Sequence, residues 1–408
     1  MKAYPRIQKI AAVLVGATLF ASGSLKMVDP VGTGLIVEEY GKLFHAGILS
    51  GGFARTFGFV LSLFETICGG AMLTGVYRRT FRGAATALIG IFTVVTVFLV
   101  VRNPSMDCGC FGEAVHLSHR ASLLKNLILL GLCVLSITPH VEPPASGRTR
   151  YVAGGFMAVG IIVAAVRSLM GIPPYDFTEF APGVELAASQ DNSLVAAGDA
   201  FELSFVYEKD GERAFFDLDS IEQAEADGWT YVGTESLRRV PESARDEVVT
   251  LSFLDRSDRL RDSLAARGNV LIVSFYDTAR ADEAAWQRTL ETLHRAEKAG
   301  MRPLLLVEVS LTDLDRMLEG VPGEDFLKEC SFQTDRRKLL ALNRDNGGAT
   351  GFSEGMLVKK WGVRKMPSDE ALEEVVADPV EAMMVSGSRG RMTLQGYFLY
   401  ALAVALLL

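Results

Sequence analysis

Long apolar runs dominate the first 170 residues of the chain. A helix that crosses the hydrocarbon core of a bilayer needs about 20 mainly apolar residues, and five segments meet that requirement. A sixth apolar segment lies at the end of the sequence, and we predict that it also spans. The predicted spans are 7–28, 52–76, 83–101, 122–138 and 151–170, with 393–408 as the sixth.

The first apolar run follows Lys2, Arg6 and Lys9, which is a pattern that signal peptides share. Ala21-Ser22-Gly23 even supplies the small residues of a cleavage site, but the run continues into Lys26, Asp29 and Pro30, and the next span needs a partner. We therefore predict an uncleaved first helix.

Basic residues are concentrated at one set of loop ends, which predicts the orientation of the spans. Short cytoplasmic loops carry an excess of Lys and Arg. On this rule the N-terminus is cytoplasmic, while the loop 28–51, the loop near residue 108 and the soluble part lie outside. In a bacterium this places the soluble part in the periplasm, on the inner membrane. The basic residues are Lys2, Arg6, Lys9, Arg78, Arg79, Arg82, Arg148 and Arg150.

The second half of the chain has the pattern of a soluble α/β domain. Alternating positions at 201–207 and 213–218 predict a hairpin. Unbroken apolar runs at 269–276 and 302–309 predict buried strands, with an amphipathic helix at 281–299 between them. A helix at 336–342 and an edge strand at 355–361 follow. This order predicts a small α/β sheet with a right-handed crossover.

The order of elements in residues 249–374 resembles a thioredoxin-like domain. The resemblance implies a Cys-x-x-Cys motif after the first buried strand, where this chain has Asp277, Thr278, Ala279 and Arg280. We therefore expect this domain to bind a partner rather than to catalyse. Cys330 stands alone and is predicted to be a small, partly buried residue.

The charge of the chain argues against one class of partner. Its 408 residues carry a net charge of −8, and most of the acidic residues lie in the soluble half. Nucleic-acid binding proteins usually present a basic surface. We therefore expect a lipid bilayer and another protein as partners, and no nucleic acid.

One cysteine spacing stands out. Cys108-Gly109-Cys110 follows the third span on the predicted outer side, where neighbouring thiols tend to oxidise. A disulfide across one residue closes a strained ring, which favours exchange, and Gly109 lets the backbone bend. Two alternatives stay open: a static crosslink, or a metal site completed by His116 and His119.

Glu65 lies inside the second predicted span. A carboxylate at this depth is costly and usually faces the interior of the helix bundle. It can pair with a cation, carry a proton or hydrogen-bond a quinone, and a polar packing contact is the alternative. We favour a functional role.

Several of these residues together resemble the DoxX-like superfamily, and within it the MauE branch of methylamine utilisation. They are Lys26 and Asp29 at the end of the first span, Glu65 in the second, and Cys108-Gly109-Cys110-Phe111-Gly112 before the fourth. The resemblance implies an all-α four-helix membrane bundle over residues 5–140. The remaining predicted units are a fifth span at 150–172, the extracytoplasmic α/β domain at 176–385 and the last span at 393–408.

The resemblance also implies a class of function. MauE proteins are linked to maturation of methylamine dehydrogenase, and DoxD relatives to quinone reduction during thiosulfate oxidation. We therefore expect a thiol–disulfide redox or maturation protein, in which Cys108 and Cys110 exchange with an envelope client protein or thiol carrier. Glu65 is the third candidate catalytic residue, and a quinone is the candidate cofactor. Lys26, Asp29, Gly109, Phe111 and Gly112 are expected to bind or to support the site.

Two other functions remain as alternatives. One is a non-catalytic membrane scaffold for assembling an envelope complex. The other is a metal-handling protein that uses Cys108, Cys110, His116 and His119.

Overall fold

The structure is a computed structural model of the whole chain. It describes residues 4–104, 108–137, 147–186, 201–209, 212–216, 229–238 and 249–406. Some residues that the predictions above include lie outside these ranges: Lys2, Thr138, Asp217, Leu218, Leu407 and Leu408.

The N-terminal part is helical. In chain order it contains α1 (Tyr4–Val28), α2 (Pro30–Leu43), α3 (Gly51–Thr74), α4 (Arg78–Arg102), the short strand β1 (Cys110–Glu113), α5 (His119–Ile137) and α6 (Gly147–Leu169). Within the described residues, the five helices other than α2 are long and apolar enough to cross a membrane. The five predicted spans are therefore confirmed, and the chain is a multi-pass membrane protein.

Small residues allow α1 and α3 to pack in close contact. A Cβ atom added at Gly69 would lie 2.3 Å from the backbone nitrogen of Phe20, and one at Gly23 would lie 2.6 Å from that of Thr66. Membrane helices commonly associate through such small residues, since lipid offers no hydrophobic driving force between helices. Large apolar side chains such as Val94, which is 71% exposed, cover the outside of the bundle and face lipid.

The predicted outer loop at 28–51 is largely the helix α2. The side chain of Asp29 accepts a hydrogen bond from the Gly32 nitrogen at 3.0 Å, and Pro30 occupies the first turn. Both features start a helix. Val31 belongs to the same buried cluster as core residues of the soluble domain, and Gly34 packs against Arg55 of α3. Helix α2 therefore lies between the bundle and the soluble domain.

The soluble part begins with a three-stranded antiparallel sheet. Its strands are β2 (Phe201–Lys209), β3 (Glu212–Phe216) and β4 (Thr230–Arg238), in the order β3-β2-β4. The predicted hairpin is confirmed as β2 and β3, and β4 was not predicted.

A five-stranded mixed sheet forms the main soluble domain. Its strands are β5 (Asn269–Phe275), β6 (Arg302–Val307), β7 (Ser331–Gln333), β8 (Gly348–Ser353) and β9 (Met356–Trp361), in the order β7-β6-β5-β8-β9. Strands β5, β6 and β7 are parallel, whereas β8 and β9 are antiparallel to their neighbours. The helices are α7 (Glu283–Lys298), α8 (Leu311–Met317), α9 (Glu324–Glu329), α10 (Arg336–Leu342) and α11 (Asp369–Ala377).

These elements confirm the α/β class and the predicted strands at β5, β6 and β9. The thioredoxin-like assignment stays a prediction. Successive residues of β5 point to opposite faces of the sheet: Leu271 and Val273 join one buried cluster, and Val270 and Ile272 join the other. Because the second cluster also contains Val31 of α2, this face of the sheet is turned toward the membrane domain.

The last described helix is α12 (Pro379–Leu406), which starts before the predicted sixth span. The Tyr400 hydroxyl donates to the Phe156 carbonyl of α6 at 2.7 Å, and the Tyr397 hydroxyl lies 3.1 Å from Ser24 Oγ of α1. The helix therefore packs on the bundle, and that it spans stays a prediction.

Candidate functional site

The two cysteines of the loop between α4 and α5 lie side by side. Cys108 Sγ is 3.1 Å from Cys110 Sγ, and both residues are free thiols. Gly109 between them has φ of +62°, a conformation that side chains rarely adopt. A Cβ atom there would also lie 2.6 Å from Cγ2 of Ile36 in α2. Glycine is therefore required at the turn that brings the thiols together.

The two thiols differ in acidity. The hydrogen bond from the Cys108 thiol lowers the pKa of Cys110 to about 5, although burial opposes this shift, and the charges of Lys125 and Lys26 lower it further. The same hydrogen bond and burial raise the pKa of Cys108. The thiolate is the nucleophile, so the lowered pKa favours Cys110 as the thiolate of the pair, and the raised pKa favours Cys108 as the protonated thiol.

Two hydroxyl groups hold the backbone of this loop. Ser22 Oγ in α1 donates to the Cys110 carbonyl at 2.5 Å, and the Tyr40 hydroxyl in α2 donates to the Cys108 carbonyl at 2.7 Å. Burial raises the pKa of Tyr40, so this hydroxyl stays a neutral donor. The thiol pair is thus positioned by α1 on one side and α2 on the other.

Glu65 is paired with a cation. Lys26 Nζ lies 2.7 Å from Glu65 Oε2, and these side chains are only 11% and 2% exposed. Lys26 Nζ also lies 5.1 Å from the centre of the Phe92 ring. Pairing meets much of the cost of placing each charge among apolar helices. The predicted residues Lys26 and Glu65 therefore form one unit.

Phe111 and Gly112, which follow the thiols, contact two lysines. Lys125 Nζ lies 4.7 Å from the centre of the Phe111 ring, a cation–π contact. Gly112 has φ of +65°, and a Cβ atom there would lie 3.4 Å from Cγ of Lys26. The two residues thus keep the loop close to the lysines that lower the Cys110 pKa.

A cavity of about 390 Å³ lies between the thiols and the Lys26–Glu65 pair. Most of its wall is apolar, since Leu19, Leu61, Ile89, Phe92 and Leu129 are among the residues that line it. Phe44, Phe57 and Ile91 also line it and are 42%, 45% and 60% exposed. The cavity therefore opens on the lipid-facing side of the bundle, and its volume is that of a small-molecule site.

Asp29 lies outside this cavity and binds the soluble domain. Its carboxylate accepts from Arg344 Nε at 3.0 Å and from Nη2 at 2.8 Å. The same Nη2 donates to the carboxylate of Glu113, and Nη1 donates to the Leu340 carbonyl at 3.1 Å. The Arg344 side chain is only 3% exposed. One buried guanidinium thus joins α2, β1 and the soluble domain.

The two histidines of the metal alternative do not join the thiols. His119 Nε2 lies 3.2 Å from the Pro104 carbonyl, and His116 lines a separate polar cleft of about 410 Å³ between the domains. Among the residues that the structure describes, no group of three or more His, Cys, Asp or Glu side chains is arranged to hold a metal.

The soluble domain has no thiol at the position where the resemblance places a dithiol. Asp277 and Arg280 form an ion pair of 3.2 Å there, and the backbone nitrogen of Thr278 donates to Glu308 at 2.7 Å. Cys330 is buried, which raises its pKa to about 12. A buried neutral thiol is unreactive, in agreement with the expectation for Cys330.

Three contributors to the site were missed from the sequence. Lys125 had one available signal, because a cation in an apolar helix is an exception that needs a reason. Tyr40 and Arg344 had none, since such residues are ordinary in helices of their kind and their contacts lie far along the chain. Ser22 lies in the segment that carries the family resemblance, but its contact with the Cys110 carbonyl was not predicted.

Comparison with known families gives one match. Residues 5–139 match the family model described as Methylamine utilisation protein MauE. No curated protein and no solved structure matches the chain. The matched segment contains the thiol pair and the Lys26–Glu65 pair, and ends before α6 and the soluble domain. Residues 5–139 of this multi-pass protein are therefore similar to the MauE family.

Proposed function

We propose that the protein is a membrane thiol–disulfide oxidoreductase in which Cys108 and Cys110 cycle between dithiol and disulfide. The observation that carries this proposal is the 3.1 Å contact between an acidic thiol and its partner at the wall of an apolar cavity. A static crosslink has no use for a thiol with a pKa of about 5. An exchange site does, because a low pKa supplies the thiolate that attacks or leaves.

The roles of the two thiols follow from their exposure and acidity. Cys110 is the more exposed of the two and forms the mixed disulfide with a client sulfur. Cys108 is buried and is the leaving group when the client sulfur attacks Cys110. The second thiol of the client then resolves the mixed disulfide and releases Cys110. For each client dithiol that is oxidised, the Cys108–Cys110 disulfide takes up two electrons, and the client leaves as a disulfide. Of the two client protons, one stays on the Cys108 thiol and the other goes to water, because the lowered pKa of Cys110 leaves it as a thiolate.

The reduced pair must then return its electrons to an acceptor. A quinone is the class of acceptor that the cavity fits, since the cavity is apolar, opens toward lipid and contacts both thiols. Phe92, Leu61 and Ile89 would hold the ring and tail, with the Lys26–Glu65 pair as the polar group within reach. When bound, a quinone supplies a two-electron, two-proton acceptor. Cys108 and Cys110 lose two electrons and the Cys108 proton as their sulfur–sulfur bond forms, and water supplies the second proton.

The client side of the cycle lies at the outer end of the bundle. This is the end at which the loop with the thiols, α2 and the soluble domain meet through the Arg344 contacts with Asp29 and Glu113. In this proposal the soluble domain binds an envelope protein or thiol carrier. The protein then lies in the inner membrane of a bacterium, with this end in the periplasm.

Thiol trapping of the purified full chain tests the proposal. Reduced protein is mixed with a short-chain ubiquinone analogue, then quenched with a maleimide that adds mass to each free thiol. We expect two thiols to disappear together with formation of one quinol, and no such change in Cys108→Ala or Cys110→Ala. Cys133→Ala, which removes a buried thiol in α5, is the matched control and should behave as the wild type. Two thiols that stay free with excess quinone and with a stronger oxidant would refute the proposal.

One observation favours the scaffold as a second candidate. The soluble domain is fixed to the bundle through a guanidinium that is only 3% exposed, which suits a rigid assembly platform. In that case Cys110→Ala would leave assembly of the partner complex intact, whereas removal of residues 176–385 would abolish it.

A further inference from the structure

The guanidinium of Arg344 binds the two elements that shape the thiol site. Its contact with Asp29 reaches across 315 positions of sequence, and its contact with Glu113 across 231. The side chain is 3% exposed and that of Asp29 is 7% exposed. Charges buried to this degree hold a fixed geometry, because each loses solvation that only its partners replace.

The first of these elements is α2. Asp29 caps the helix through the Gly32 nitrogen with one oxygen and accepts from Arg344 with the other. Further along the helix, Ile36 covers Gly109, and the Tyr40 hydroxyl holds the Cys108 carbonyl. The start of α2 is thus held by the soluble domain, and its later turns hold the thiol loop.

The second element is β1. This strand begins at Cys110 and ends at Glu113, whose carboxylate contacts Arg344. The loop with the thiols therefore has its outgoing end held by the same guanidinium that holds α2. A change at Arg344 acts on both sides of the pair at once.

We infer that Arg344 is a positioning residue through which the soluble domain holds Cys108 and Cys110 in contact and so sets the reactivity of Cys110. The inference rests on the proposed function. It gives a role to the soluble domain, which has no dithiol at the position where a thioredoxin would have one. It assigns to this domain the control of a site in the membrane half of the chain.

The charged groups around Cys110 determine whether loss of Arg344 raises or lowers the pKa of Cys110. Lys26 from α1 and Lys125 from α5 lower its pKa, as does the hydrogen bond from Cys108, which is the largest contribution. Tyr40 from α2 is neutral, and the charge of Glu113 along β1 is offset by Arg344. Without Arg344, α2 and β1 are held less firmly, and the distance between the two sulfurs increases. The pKa of Cys110 then rises toward that of an ordinary thiol.

The rate of alkylation by iodoacetamide as a function of pH measures this directly in the purified full chain. In Arg344→Met we expect at least a tenfold loss of Cys110 reactivity at pH 6, with the midpoint shifted to higher pH. Arg344→Lys keeps the charge but not the paired contacts. Its alkylation midpoint should lie between those of the wild type and Arg344→Met.

Lys328→Met is the control, since Lys328 is also a cation of the soluble domain and pairs with Glu324 at 2.7 Å, apart from Arg344 and its partners. It should leave the pH profile of Cys110 unchanged. If Arg344→Met does not fold, Asp29→Asn serves instead, because Asn still caps α2 while its bond to Arg344 loses the charge. A wild-type profile in Arg344→Lys and Asp29→Asn, or the same shift in Lys328→Met, would overturn the inference. Quinone is absent from this assay, so its outcome is separate from that of the proposed quinone coupling.

Discussion

Lys26 and Glu65 form an ion pair of 2.7 Å between α1 and α3, at the wall of the cavity that also contains the thiols. Each side chain is a charge among apolar helices, so each depends on the other for its solvation. The pair therefore links the packing of the bundle to the chemistry of the site.

Removing one member of this pair should be costly. We expect Glu65→Gln to destabilise the protein by about 3 kcal/mol, because it leaves Lys26 buried without its counter-charge. The double variant Lys26→Met with Glu65→Leu should regain most of that stability, since neither charge is then buried. Thermal unfolding in detergent measures both. Equal losses in the single and double variants would contradict this account of the pair.

The reactivity of Cys110 should depend on pH in a defined window. Its pKa is lowered to about 5, whereas a free thiol ionises near pH 8.5. The rate of Cys110 alkylation should therefore be constant between about pH 7 and the pKa of a free thiol, and it should fall as the pH drops through 5. Cys108→Ala removes the hydrogen bond that is the main cause of the shift, so its midpoint should move to higher pH. A midpoint near 8.5 in the wild-type protein would show that the thiols do not interact.

Lys125 in α5 should also affect the pKa of Cys110. Its charge lowers the pKa of Cys110, so we expect Lys125→Met to move the alkylation midpoint up by about one unit. Lys42→Met, on the exposed side of α2, is the control and should have no effect. Equal alkylation midpoints in the wild type, Lys125→Met and Lys42→Met would show that Lys125 does not act on Cys110.

How much of this site can be predicted from the sequence depends on how far apart along the chain the contacting residues lie. Lys26, Glu65 and the cysteine pair are exceptions within apolar or turn-rich segments, and such exceptions carry a cost that needs a reason. Arg344 lies at the end of a polar helix where arginine is ordinary, and its partner Asp29 is 315 positions away. Helix α2 was missed as a helix because its apolar face is buried against two different domains, so no single stripe marks it.

The glycine between the cysteines should be indispensable. Gly109→Ala places a side chain at φ of +62° and within 2.6 Å of Ile36. The conformation alone costs about 1–2 kcal/mol, and the contact displaces α2. We expect slower disulfide formation between Cys108 and Cys110 under mild oxidant, measured by thiol trapping. Gly131→Ala, where an added methyl meets nothing within 4 Å, is the matched control. Wild-type kinetics in Gly109→Ala would mean that the turn is not strained.

The lipid-facing cavity should be required for quinone and not for small polar oxidants. Leu61 lines the cavity, and Leu61→Trp fills part of its volume without changing a charge. We expect oxidation of the thiols by a short-chain ubiquinone analogue to slow by tenfold or more, while oxidation by diamide in water stays within about twofold of the wild-type rate. Leu124→Trp, on the outer face of α5 where Leu124 is 62% exposed, is the matched control. If both oxidants slow equally in Leu61→Trp, the substitution has disturbed the thiols themselves. If neither slows, the acceptor reaches Cys110 by another route, and the cavity loses its place in the proposed cycle.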